Sequence, residues 1–218
     1  MQTVAIIDYG SGNLRSVAKA FERMADETGL PLRVEVTSDP AVVSKADRLV
    51  LPGVGAFAHC YKGVMASSGL SEALHVAVIE KARPFLGICV GMQLMATSSY
   101  EHSITSGFNW ITGSVVAINT KGVNLKIPHM GWNELKIVST NHPVFNGLQN
   151  ETKTPHVYFV HSYHFTGADS QNVLATTQYG DELVAVIGRD NMVGTQFHPE
   201  KSQAPGLRLI SNFLAWSP

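Results

Sequence analysis

The stretch Phe85-Leu86-Gly87-Ile88-Cys89-Val90-Gly91-Met92-Gln93-Leu94 decides how the chain is read. An apolar run of strand length reaches Gly-x-Cys-x-Gly and then takes on helical spacing. This is the form of a nucleophile elbow with cysteine in the place of serine. The two glycines leave room for a sharp strand-to-helix turn that presents the Cys89 side chain at the carboxyl edge of a sheet. A helix starting there points unpaired N–H groups at the sulfur and favours a thiolate. The N–H of Val90 then faces the place where an oxyanion develops. A small buried thiol beside a tight turn has the same local sequence, so the elbow alone leaves the role of Cys89 open.

Outward from the elbow, the first half alternates strands and helices. Val4–Asp8 is a short apolar run ending in the turn Tyr9-Gly10-Ser11-Gly12-Asn13, and Leu14, Val17, Ala18, Phe21 and Met24 follow at helical spacing. Leu32–Thr37 and Arg48–Leu51 read as strands, and the stretch from about Ser71 to Lys81 as a helix. This rhythm argues for a parallel sheet covered by helices. The second half offers strands at Ser114–Asn119, Asn133–Val138, Val157–Tyr163, Val173–Gln178, Val184–Arg189 and Met192–Phe197, joined by turn residues. A C-terminal helix carries Leu207, Ile210, Phe213 and Leu214. The expected class is α/β, a three-layer, open, mostly parallel sheet with helices on both faces and added antiparallel strands, folded as one domain over 1–218.

Composition bounds the rest. Of the 218 residues 44% are hydrophobic and 15% charged, which excludes a disordered chain. A net charge of -1, from 16 basic and 17 acidic residues, lacks the basic surplus of a nucleic-acid binder. Two cysteines make no disulfide framework, and Cys60 reads as packing. The N-terminus shows no secretory pattern and no run of about 18 apolar residues appears, so the cytoplasm is the expected compartment.

A cysteine nucleophile needs a base, and the base needs an acceptor to orient it. Gly194-Thr195-Gln196-Phe197-His198-Pro199-Glu200 supplies both. In an extended segment residues i and i+2 share a side, so His198 and Glu200 come together, stiffened by Pro199. A strand end with a surface carboxylate would read the same way. Leu51-Pro52-Gly53-Val54-Gly55-Ala56-Phe57 is a glycine loop able to turn an N–H toward a ligand. It reads as part of an oxyanion hole with Val90 or as a plain strand-to-helix turn; the phosphate-loop spacing is missing. Gly10-Ser11-Gly12-Asn13 reads as an anion-binding turn or as a turn with an Asn helix cap.

Taken together, Gly87–Gln93 and His198-Pro199-Glu200 resemble the class I, triad-type glutamine amidotransferases. Ile7–Asn13, Leu51–Phe57, Pro128-His129-Met130-Gly131-Trp132-Asn133, Tyr158–Tyr163 and Gln196–Ser202 narrow the resemblance to their branch of glutaminase subunits of imidazole glycerol phosphate synthases. The resemblance implies Cys89 as nucleophile, His198 as proton shuttle and Glu200 as its orienting group. It implies an oxyanion hole from the amides of Gly55 and Val90, and glutamine held at Gly53, Gln93, Ser162 and Tyr163. It implies no cofactor and no metal. Its partner is a separate (β/α)₈ cyclase subunit, in a heterodimer, with Asn13, His129, Met130, Trp132, Tyr158 and Lys201 near that face. The aromatic and Met-bearing loop Pro128–Trp132 suits an interface in its own right, although Met130 and Trp132 packed on the core would also account for it. Val90 stands where the family usually has leucine, which is immaterial if only its N–H is used. A paralogous glutaminase amidating a surface-polysaccharide sugar, a non-catalytic subunit on the same fold, and another cysteine hydrolase are the competing readings. The intact Cys, His and Glu speak against the second, and Gln93 with Ser162-Tyr163 against the third.

Overall fold

The computed structural model describes residues 1–120, 122, 124–148 and 154–218. The first half is built from β1 (Gln2–Ile7), α1 (Leu14–Thr28), β2 (Leu32–Thr37), α2 (Pro40–Val43), β3 (Arg48–Gly53), α3 (Phe57–Ala66), α4 (Leu70–His75), β4 (Phe85–Cys89) and α5 (Val90–Gln93). The second half adds β5 (Ser98–Ser99), β6 (Thr105–Ser106), β7 (Ser114–Ala117), β8 (His129–Glu134), β9 (Lys136–Ile137), β10 (His156–His161), β11 (Tyr163–Thr166), β12 (Val173–Tyr179), β13 (Asp181–Arg189), β14 (Met192–Thr195) and the closing helix α6 (Gln203–Ala215).

One eight-stranded sheet runs β2-β1-β3-β4-β14-β13-β12-β9. Its first five strands are parallel and its last three antiparallel. The α/β layering expected from the sequence is therefore present, with the antiparallel extension beyond β14. Strands β3 and β4 are buried along their whole length, as central strands covered on both faces must be. Amphipathic α1 packs on α6, with Phe21 edge-on to Phe213 at 6.2 Å, while α4 packs with α2 and α3. Two smaller sheets, β10-β8 and β11-β7-β5-β6, lie beside the main one.

Several local expectations are revised. The helix expected to about Lys81 ends at His75 and continues as one wide π turn over Val76–Glu80. The strand expected over Val157–Tyr163 breaks at Ser162, so β10 and β11 enter different sheets. The expected loop Pro128–Trp132 is largely strand, because β8 pairs along its full length with β10. Asn13 begins α1 by position, yet its side chain makes no capping hydrogen bond. The helix after Cys89 is a single turn, Val90–Gln93.

That short turn is where the packing is tightest. Cys89 itself sits at φ 55° and ψ -109°, a backbone conformation strained for any residue with a Cβ. A methyl group on Gly91 would stand 1.8 Å from the Leu51 carbonyl oxygen, and one on Gly87 would stand 2.6 Å from the Gly91 oxygen. The elbow glycines thus let α5 lie directly on the backbones of β3 and β4. Both obstacles are main-chain atoms of central strands or of the turn, so no side chain can swing aside. Gly91→Ala is expected to cost about 3 kcal/mol or to prevent folding; a wild-type denaturant midpoint for that variant would contradict this packing.

Candidate active site

Three parallel strands end together at one edge of the sheet. The register pairs Gly53 with Cys89, and Thr195 with Ile88. One residue beyond Thr195, Gln196 therefore comes alongside Cys89, and His198 follows. Around them opens a cleft of about 550 Å³ lined by Val54, Gly55, Cys89, Val90, Gln93 and His198 on one side and by Val160, His161, Ser162 and Tyr163 on the other.

His198 is held from behind. Its Nδ1 is 2.8 Å from Glu200 Oε1, and both side chains are buried. A carboxylate only accepts, so Nδ1 carries the proton and Nε2 is left toward the cleft. The contact is made across a 3₁₀ turn, Pro199–Lys201, and not along the extended segment expected. Ser202 Oγ donates to the His198 carbonyl at 2.6 Å and accepts from the Tyr158 N–H at 2.9 Å, locking the turn to β10. Burial lowers the His198 pKa, but the neighbouring Cys89 and Glu200 outweigh it and raise it to about 9. His198 Nε2 has no aligned hydrogen-bond partner among the described residues, although the nearby Cys89 sulfur favours the charged ring. Such bonds tighten when substrate arrives.

The glycine loop is pinned through its carbonyls. Tyr9 Oη donates to Pro52 O at 2.7 Å, and Ser11 Oγ donates to Val54 O at 2.8 Å. Cys60 Sγ, expected to be packing alone, also reaches Val54 O at 3.4 Å. Gly55 lies at φ +91° with nothing among the described residues within 4 Å of a would-be Cβ, so what it offers there is its backbone. Gly53, expected to hold substrate, does not line the cleft; it is buried behind it, where an added Cβ would meet Gly91 N at 2.7 Å.

Among the residues expected at a partner face, Met130 is 65% and Trp132 47% exposed. Asn13 and Lys201 are exposed as well, and Lys201 Nζ lies 5.9 Å above the ring of half-buried Tyr158. His129 is the exception, since it is 3% exposed. Alternation along β8 sends Met130 and Trp132 outward and His129 inward, against its cross-strand neighbour His161. There the His129 ring is stacked between Phe159 at 4.6 Å and Tyr179 at 4.0 Å.

His161, Gln196, Glu101 and His102 are not among the site residues expected from the sequence. Glu101 and His102 line the cleft, and Glu101 Oε2 accepts from the first N–H of α3 at 2.7 Å. His161 is part of a chain with one direction. Its Nδ1 faces the Tyr163 carbonyl at 2.9 Å and must donate, so its Nε2 accepts from His129 Nδ1 at 2.9 Å. His129 Nε2 in turn accepts from Asn133 Nδ2 at 3.2 Å.

Both rings in that chain are neutral. Burial lowers the His129 pKa to about 4 and, with the nearby histidines, that of His161 to about 3. Unfolded, each would take a proton near pH 6.5. Their contribution is therefore fully present above pH 6.5 and is lost as pH falls from there toward 4. At pH 5 the loss is about 2 kcal/mol per ring. A thermal unfolding midpoint that stays level between pH 7 and pH 5 would contradict the buried neutral pair.

The chain matches the model of the family "Glutamine amidotransferase class-I" over residues 5–216. It is 54% identical over 215 residues to a Brucella abortus protein named imidazole glycerol phosphate synthase subunit HisH, covering 99% of each chain. The protein of that name from Bradyrhizobium diazoefficiens is 57% identical over 216 residues, covering 99% of this chain and all of the relative. Among solved structures, one described as a glutamine amidotransferase superposes with a TM-score of 0.71 at 18% identity, covering 97% of each chain. The glutaminase domain of a Trypanosoma brucei CTPS superposes at 0.64 with 14% identity, over all of this chain and 96% of that one. These two share the fold. With the thiol on a strand-to-helix turn and the His–Glu pair at the same sheet edge, the chain belongs to the class I glutamine amidotransferases.

Proposed function

We propose that this chain is the glutaminase subunit of an imidazole glycerol phosphate synthase, serving histidine biosynthesis. The observation that carries the reading is Cys89 at the elbow, facing a histidine whose Nδ1 is fixed on Glu200, in a chain alike from end to end to proteins named HisH.

The chemistry follows from the geometry. Cys89 gives its proton to His198, and the thiolate attacks the side-chain carboxamide carbon of glutamine. The amides of Val90 and Gly55 are assigned to the oxyanion that forms. As the tetrahedral adduct collapses, His198 protonates the departing nitrogen, which leaves as ammonia, and a thioester remains. Water, deprotonated by His198, then hydrolyses the thioester to glutamate and frees the thiolate. Glu200 holds the tautomer throughout. Ser162 and Tyr163 form the far wall of the substrate pocket with Gln93. Both amide hydrogens of Gln93 are already spent, on Tyr163 O and Gln196 Oε1, so what it offers a ligand is its oxygen.

The ammonia is passed to a separate (β/α)₈ cyclase subunit, where it reacts with a phosphoribulosyl-formimino aminoimidazole carboxamide ribotide to give imidazole glycerol phosphate and aminoimidazole carboxamide ribotide. The face assigned to this partner carries Met130, Trp132, Tyr158, Lys201 and Asn13. Exposed Trp and Met beside a polar rim are the composition of an anchoring patch.

Two outcomes test the reading. Cys89→Ala is expected to abolish glutamine-dependent synthesis by the reconstituted pair while ammonia-dependent synthesis continues; loss of both would make Cys89 a structural residue, and a pair that makes no imidazole glycerol phosphate would assign the chain to another synthase. Trp132→Ala is expected to weaken association with the cyclase by about 2 kcal/mol, read as roughly a 30-fold higher dissociation constant in titration calorimetry; unchanged affinity would move the interface elsewhere.

A further inference from the structure

Gln196 lies just beyond the end of β14, on the way to His198, and the mechanism gives it no role. It is fully buried, and its side chain touches the reacting sulfur: Nε2 lies 3.7 Å from Cys89 Sγ. Amide nitrogen and oxygen look alike, so which end meets the sulfur has to follow from the surrounding hydrogen bonds.

Those bonds leave one solution. The Tyr163 carbonyl can only accept, and Gln93 reaches it at 3.0 Å, so the Gln93 end there is the nitrogen. The same nitrogen is 3.1 Å from Gln196, which must answer with its oxygen. The remaining end of Gln196, the one facing Cys89, is therefore the NH₂ group. Turning Gln196 over would set two NH₂ groups against each other in a buried place; turning Gln93 over would set two oxygens together. The His161 N–H on the same Tyr163 carbonyl, itself fixed by His129, keeps that anchor in place.

We propose that Gln196 is a further catalytic residue of this site: held oxygen-first by Gln93, it donates a hydrogen bond to the Cys89 sulfur and stabilises it as the thiolate. This rests on Cys89 being the nucleophile. The donor acts twice in one turnover. It stabilises the thiolate formed when the thiol proton moves to His198, and again the thiolate released when water cleaves the thioester. In between, the sulfur is neutral and bonded to carbon, and the interaction is weaker. The donor thus eases both formation of the anion and its departure, whereas a group that only filled space would do neither. Hydrogen bonds to an ionised partner are about twice as strong as neutral ones, so a single one is enough to matter.

The test is the alkylation of Cys89 by iodoacetamide in the full chain, with Cys89→Ala as the blank for Cys60. Gln196→Met keeps the length of the side chain and removes the donor. Its alkylation rate at pH 7 is expected to fall about 10-fold and to recover toward wild type at higher pH, where the thiolate forms unaided. In the reconstituted synthase, kcat with glutamine should fall while KM and the ammonia-dependent rate hold. A folded Gln196→Met variant alkylated at the wild-type rate overturns the proposal. So does a loss of rate that high pH does not restore, since that is blocked access. Should Gln196→Met fail to fold, Gln196→Glu keeps the shape and sets a carboxylate against the sulfur; its alkylation should fall further, and an unchanged rate overturns the proposal equally. If Cys89→Ala still uses glutamine, the nucleophile assignment itself is wrong. If that variant is dead and Gln196→Met behaves as wild type, only the role of Gln196 is lost.

Discussion

The contact between the one-turn helix α5 and the backbone of β3 sets the geometry of everything at the sheet edge. Gly91 approaches the Leu51 carbonyl so closely that no side chain fits between them. The strand-to-helix turn can then be sharp enough to hold Cys89 at positive φ, above the ends of β3 and β14. From that point the other groups are placed by register. Gly53 ends opposite Cys89, and the chain leaving Thr195 brings Gln196 and then His198 past the sulfur. The strain in the Cys89 backbone is local, and the buried strands on either side hold it in place.

What the sequence disclosed and what it hid divide along physical lines. Apolar runs ending in glycine turns reported β3, β4 and the elbow, because central parallel strands must be apolar on both faces. The Cys89, His198 and Glu200 trio was legible because the chemistry limits which residue types can serve. The hidden part depends on pairing between distant segments. His129 stands beside exposed Met130 and Trp132 in sequence, and only the alignment of β8 with β10 shows that it turns inward onto His161. Gln196 was visible as a letter in a motif, but its neighbour is the sulfur only because β14 lies parallel to β4. The very short strands β5 and β6 carry no periodicity to detect.

Electrostatics at the site follow from how burial is compensated. His198 is buried yet has Glu200 and the thiol beside it, so its positive form is favoured. His129 and His161 are buried with no acid at hand among the described residues, so each keeps one proton and serves as both donor and acceptor. The same residue type thus fills two roles around one cleft, and the neighbours decide which. The neutral pair fixes the Tyr163 carbonyl that Gln93 also uses, so a polar chain with a single sense of donation runs from β8 to the cleft.

The elbow glycines also constrain how this sequence can drift. The space missing at Gly87 is filled by the Gly91 carbonyl, and the space missing at Gly91 by that of Leu51. The three backbones form one stack, so a change that lifts α5 to admit a methyl at Gly91 also opens room at Gly87. Substitutions at the two sites are therefore epistatic, the second costing less once the first has moved the turn. Lifting the turn carries Cys89 away from Gln196 and His198 together. A substitution at either glycine therefore reaches the reacting sulfur through the backbone alone, without touching it.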